Sequence, residues 1–149
     1  LRSRDLTRPP PADMSDPHLE GLFMRRPEVV DFLSTRRSRP PKVLSAPGPD
    51  RAALTALLTM AARVPDHGKL EPWRFIVLEG AGQARLAQAI RARAAETGAD
   101  AEKGASAYEQ APVSVVVVAS PKPSEKIPPI EQTLSAGALA LGLVNAALA

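Results

Sequence analysis

Arg36, Arg37, Ser38 and Arg39 occupy four consecutive positions, with Lys42 close behind. Arginine forks onto phosphate oxygens through charge-assisted hydrogen bonds, and a serine hydroxyl adds another donor. The tetrapeptide therefore suits an anion, above all a phosphate. Arginines at a helix C-terminus are also favoured by the helix dipole and are often simply solvated, so the tetrapeptide alone leaves both readings open. A second constellation is Arg63, His67 and Lys69, on a loop braced by Pro65 and Pro72 and running into the single tryptophan, Trp73. Loops held by a rigid scaffold are favoured places for binding groups. A lone loop histidine is also an ordinary polar residue, and a tryptophan is often core.

Other chemistry lacks its residues. The chain has no cysteine, which removes disulfides, thiolate metal sites and cysteine nucleophiles. His18 and His67 are the only histidines, and no His-Glu-x-x-His or comparable ligand spacing occurs, so no metal is expected. There is no G-x-S-x-G elbow, P-loop or G-x-G-x-x-G; Gly80-Ala81-Gly82 lacks the third glycine. Glu131 and Gln132 open a helix, where an acid in the first turn is favoured by the dipole. The net charge of +3 is mild and does not call for nucleic acid. Arg2, Arg4 and Arg8 could form a basic arm, but Asp5, Asp13 and Asp16 dilute it. The apolar stretch Ala136–Ala149 falls short of the roughly 20 residues that a membrane span needs. The first residues lack an apolar signal-peptide core. The expected location is therefore the cytoplasm.

These candidates need elements to place them. Residues 1–26 read as a disordered or extended tail. Pro27 starts a helix with Val29, Val30 and Leu33 on one stripe; it runs to about Arg36 and is stopped by Pro40 and Pro41. Asp50 is the predicted N-cap of a second helix that buries Leu54, Leu57, Leu58 and Ala61. Trp73–Glu79 reads as a buried strand. Gly80 and Gly82 turn the chain into a helix over Ala84–Ala95, with Leu86 and Ile90 inward. Gly98–Gly104 reads as a loop, followed by a short helix around Tyr108 that Pro112 ends. Val113–Ala119 is a β-branched run and the clearest strand. A proline-rich loop then leads to a helix from Ile130, apolar on most sides and so predicted to be buried. Its small residues, Ala136, Gly137, Ala138, Ala140 and Gly142, allow close helix approach. Two strands do not complete a sheet, so further strands are expected beyond Ala149 or from another chain. The chain starts at Leu1 and its last residues read as mid-helix, so a fragment is expected. The pattern fits α+β, or α/β cut short.

The order of the motifs resembles the nitroreductase family of flavin enzymes, in particular its small single-domain bacterial branch. Arg36-Arg37-Ser38 is followed by Arg63-x-Pro65-Asp66-His67 and Pro72-Trp73-x-Phe75. Next come an Ala111-Pro112-led valine strand and Pro128-x-x-Glu131-Gln132-x-x-Ser135-Ala136-Gly137. The resemblance implies an α+β fold, with a mixed sheet flanked by helices and incomplete over these residues. It covers about 27–149 and implies a partial FMN-binding domain there, after the tail read at 1–26. It also implies a homodimer with FMN at the interface, reduced by NADH or NADPH and passing hydride to a small-molecule acceptor such as a nitroaromatic or quinone, with ping-pong kinetics. Arg36, Arg37 and Ser38 match the phosphate-binding triplet; Arg63 and His67 match flavin-contacting positions. The wider family carries Asn-x-Gln-Pro-Trp where this chain has Lys69-Leu70-Glu71-Pro72-Trp73. Lys42, Lys69 or protonated His67 would stabilise charge on a reduced flavin. No catalytic side chain is implied, because the cofactor supplies the chemistry. The alternative is a flavin- or anion-binding module without turnover. Neither a nucleic acid nor a membrane is expected as partner.

Overall fold

The computed structural model describes residues 26–149, so the predicted tail, with His18 and the N-terminal arginines, lies outside the described residues. The chain divides into two units, Leu1–Arg36 and Arg37–Ala149. The described part of the first is helix α1 (Pro27–Thr35), with Pro27 at its start and Glu28 in its first turn. The fixed φ of proline and the acid beside the free N–H groups both favour that start. The N–H of Arg36 closes the helix on the Phe32 carbonyl at 2.8 Å. Val29, Val30 and Leu33 of the predicted stripe are exposed.

The second unit begins in extended chain and a short 3-10 turn at Pro41–Val43. Helix α2 (Arg51–Ala61) starts where predicted, with Asp50 Oδ1 accepting from the Ala53 N–H at 2.8 Å. Strands β1 (Trp73–Glu79) and β2 (Val113–Ala119) form an antiparallel pair in which Trp73 faces Ala119, Ile76 faces Val116 and Glu79 faces Val113. Between them the chain makes a helical hairpin, α3 (Ala81–Thr97) and α4 (Ala101–Gln110). Gly80 at φ +45° enters α3 and Gly98 at φ +70° leaves it, conformations open to glycine. Helix α5 (Pro129–Leu148) packs on α2 and β2.

Small residues set these contacts. Ala87, Ala94 and Ala105 are buried in the α3–α4 hairpin, and a Cβ on Gly104 would lie 3.1 Å from Ile90 Cγ2. Across α2 and α5, a Cβ on Gly142 would lie 3.1 Å from the Ala61 carbonyl oxygen; Ala61 and Leu139 are fully buried beside it. Two buried glutamines tie loops to this frame. Gln83 Nε2 donates to the Ala111 carbonyl at 2.9 Å and to Ser114 Oγ at 3.0 Å, pinning the entry to β2. Gln132 accepts from the Lys122 N–H at 2.7 Å and donates back to the Lys122 carbonyl at 2.9 Å, holding the loop after β2 on α5. At Gln132 both amide groups find partners, which offsets the cost of burying them.

Four local expectations are corrected. Most of Gly98–Gly104 is not a loop: Asp100 Oδ1 accepts from the Lys103 N–H at 3.0 Å and starts α4 at Ala101. Gly82 lies inside α3 rather than in a turn. β1 is only half covered, with Ile76 and Val77 exposed, because it pairs along one edge and is packed mainly on one side. α5 is likewise not buried all round. Its residues Ile130, Leu134, Leu141 and Val144 stand 62%, 65%, 53% and 42% exposed.

Candidate functional site

The segment between α2 and β1 is built to hold one shape. The Asp66 carboxylate accepts from the Glu71 N–H at 2.7 Å and so spans the turn. Within it His67–Lys69 forms a 3-10 turn. Gly68, Lys69 and Glu71 all carry positive φ, at +72°, +51° and +47°. Left-handed backbone is uncommon outside glycine and costs a non-glycine residue about 1 kcal/mol. It persists where the surroundings over-determine it, often at a ligand clamp. The surroundings here are plain. Pro72 is fully buried, and its carbonyl accepts from the Ser120 N–H at 2.8 Å, fastening the turn to the end of β2. From the other side the buried Ile127 presses on Gly68, where a Cβ would stand 2.6 Å from Ile127 Cδ1.

On this braced turn His67 projects to the surface, its side chain 64% exposed. Its Nδ1 lies 2.9 Å from Glu131 Oε2 in the first turn of α5. Both residues line a cleft of about 340 Å³, whose other walls are Pro65, Leu134, Ser135 and Ala138. Apolar walls meeting one titratable pair form a surface suited to a planar, partly polar ligand.

The other predicted residues are placed differently. Arg63 follows α2, is exposed, and does not line this cleft. Lys69 is exposed on the turn itself. Arg37 and Ser38 open the second unit as exposed residues, and among the described residues neither side chain has a hydrogen-bond or ion-pair partner. Arg36 is half-buried at the end of the first unit. The backbone of Lys42 lies in the turn at Pro41–Val43, and its side chain is outside the description. Among the described residues no cluster of His, Asp or Glu could hold a metal ion, and no helix is long and apolar enough to cross a membrane.

Glu131 is the site residue that sequence reasoning passed over. It stands 64 positions from His67. Its place in a first helical turn already had a sufficient explanation in the dipole. Only the motif order around Pro128 and Gln132 set it apart.

Comparison with known proteins follows the same residues. Positions 33–149 match the family model described as the nitroreductase family. The chain is 33% identical over 125 residues to YdjA of Escherichia coli K12, and 38% identical over 126 residues to a protein of Haemophilus influenzae. Both relatives are provisionally named NAD(P)H nitroreductases, and each alignment covers 82% of this chain and 67% of the relative. In fold it is similar to the crystal structure of a nitroreductase-like family protein from Bacillus cereus, with a TM-score of 0.65 and 20% identity over 84% of this chain and 66% of that one. The chain thus spans about two-thirds of the length of the proteins it matches.

Proposed function

The chain belongs to the nitroreductase family, and on that premise we propose that it forms part of an FMN-dependent oxidoreductase. The protein takes hydride from NADH or NADPH and delivers it to a nitroaromatic, a quinone or a similar conjugated acceptor. The two substrates use one site in turn, which gives ping-pong kinetics. The observation that carries this reading is the braced turn at His67. Its left-handed residues are held from two sides beside a cleft with apolar walls. That cleft suits a flat ring system with a polar edge.

The residues present fit the cofactor. Arg37 and Ser38 are exposed donors without partners among the described residues, and with Arg36 they would hold the phosphate by charge-assisted bonds. Bound FMN supplies the hydride-accepting centre. Pro65, Leu134 and Ala138 would cover one side of a ligand in the cleft. His67 would hydrogen-bond the ligand, and the positive charge of Lys69 and Arg63 would favour the negative charge that the bound flavin gains on reduction. A second copy of the chain completes the site. The exposed apolar stripe of α5, Ile130, Leu134, Leu141 and Val144, supports that pairing.

The test is a flavin titration of the full chain followed by its visible spectrum. Bound flavin is expected, with Arg36→Ala/Arg37→Ala weakening FMN about 100-fold or more, since hydrogen bonds to charged groups contribute about 1.5–3 kcal/mol each. A chain that takes up no FMN overturns the reading. Unchanged affinity in the double variant overturns the phosphate assignment.

A further inference from the structure

One polar link joins the histidine turn to α5, and it uses a particular ring nitrogen. A carboxylate only accepts, so the 2.9 Å separation places a hydrogen on Nδ1 of His67, directed at Glu131 Oε2. A neutral imidazole carries one N–H. With Nδ1 holding it, Nε2 is bare and accepts. Among the described residues Nε2 has no hydrogen-bond partner.

We propose that Glu131 is a positioning residue: its carboxylate holds His67 in the Nδ1–H form and thereby assigns Nε2 to the ligand. With the ring neutral, Nε2 then accepts from a donor. FMN offers such donors in its ribityl hydroxyls and its imide N–H. The role of His67 in flavin binding, proposed above, is the premise for that last step.

Three features of the structure support the assignment. The backbone on both sides of His67 is held, by Asp66 spanning the turn and by Ile127 against Gly68, so the point from which the exposed ring reaches Glu131 is fixed and the hydrogen bond sets its orientation. Glu131 lies in the first turn of α5, where the helix terminus favours negative charge and hence an acceptor. Both side chains line the same cleft, so the orientation set on one nitrogen is expressed at the site. A carboxylate that fixes a histidine tautomer through its second nitrogen is a general device for presenting the first.

The test is a pair of measurements on the full chain. In a His18→Gln background His67 is the sole histidine. Its ring is observed by long-range ¹H–¹⁵N correlation, without flavin, at a pH where it holds one proton. The Nδ1–H tautomer is expected. Glu131→Leu should convert it mainly to the Nε2–H form. Glu131→Gln, which keeps the shape and one acceptor oxygen, should give a mixture, and it carries the test if the leucine variant does not fold. An Nε2–H ring in the parent, or a tautomer indifferent to both substitutions, overturns the proposal. Separately, FMN titration should show about tenfold weaker binding in Glu131→Leu and at least as much loss in His67→Ala. If the tautomer responds as expected but His67→Ala binds FMN unchanged, the flavin contact of His67 falls while the hold of Glu131 on the ring stands.

Discussion

Lys69 and Glu71 occupy backbone that their side chains resist, at φ +51° and +47°. Lys69→Gly should therefore stabilise the protein by up to about 0.5 kcal/mol, the relief of left-handed strain less the extra freedom given to the unfolded chain. A urea titration should show the midpoint rising. A falling midpoint would mean that the Lys69 side chain contributes more than its backbone costs. The same scale shows what could be read in advance. Arg37, Ser38 and His67 stood out by residue type and by the order of motifs around them. The strain at Lys69 did not, because it arises from Pro72 buried against the end of β2 and Ile127 pressing on Gly68. The partnership of His67 with Glu131 was equally hidden, since it joins residues 64 positions apart that only folding brings together.

Among the elements, the strands were the most legible: Trp73–Glu79 and Val113–Ala119 appear with the predicted limits, because β-branched and aromatic runs between glycine and proline have few alternatives. Helix α4 was expected around Tyr108, but its start at Ala101 was misplaced because Gly98 and Gly104 look like breakers. Only Gly98 is one; Gly104 is helical and small because α3 lies against it. The hairpin is also where charge is concentrated. Arg91 reaches Glu102 and Glu109, each at 2.7 Å. Hydrogen bonds from its guanidinium hold both carboxyls below their ordinary range, and those carboxylates raise the arginine in turn. A depressed carboxyl contributes stability that is fully present above its unfolded value and fades as pH falls through the folded one. The raised arginine keeps its contribution at every pH below its ordinary value. Glu102→Gln/Glu109→Gln should therefore flatten the acid limb of a plot of urea midpoint against pH and leave its neutral limb parallel to the parent's. Salt should shrink the difference, because these groups are solvated. An acid limb as steep as the parent's would remove the triad from the account.

For the whole molecule, the exposed stripe of α5 is the feature that most needs a partner. Four large apolar residues at helical spacing on one helix are more than isolated surface hydrophobics. Covering what remains open on each contributes roughly half of the about 1.5–3 kcal/mol that full burial is worth. Leu141→Arg/Val144→Arg leaves the lining of the His67 cleft intact. The variant should sediment as a monomer where the parent chain sediments as a dimer. A parent monomer, or a variant dimer, would assign that face to something other than a second copy. The α+β class and the helix–strand order were legible, and the similarity to the Bacillus cereus structure agrees with them. Which faces stay open was not, since the pattern of apolar residues is the same whether a neighbour covers them or water does.

The seven-residue strands also separate two ends of the unit. The histidine turn and the loop held by Gln132 meet at Trp73 and Ala119, while the helical hairpin departs from Glu79 and Val113. About 20 Å of ladder lies between. The bend at Gly98, with nothing crowding it within 4 Å, is thus a natural graft point: an epitope or fluorophore spliced in at Ala99 would ride on a hairpin rooted at the end of the ladder away from the histidine turn.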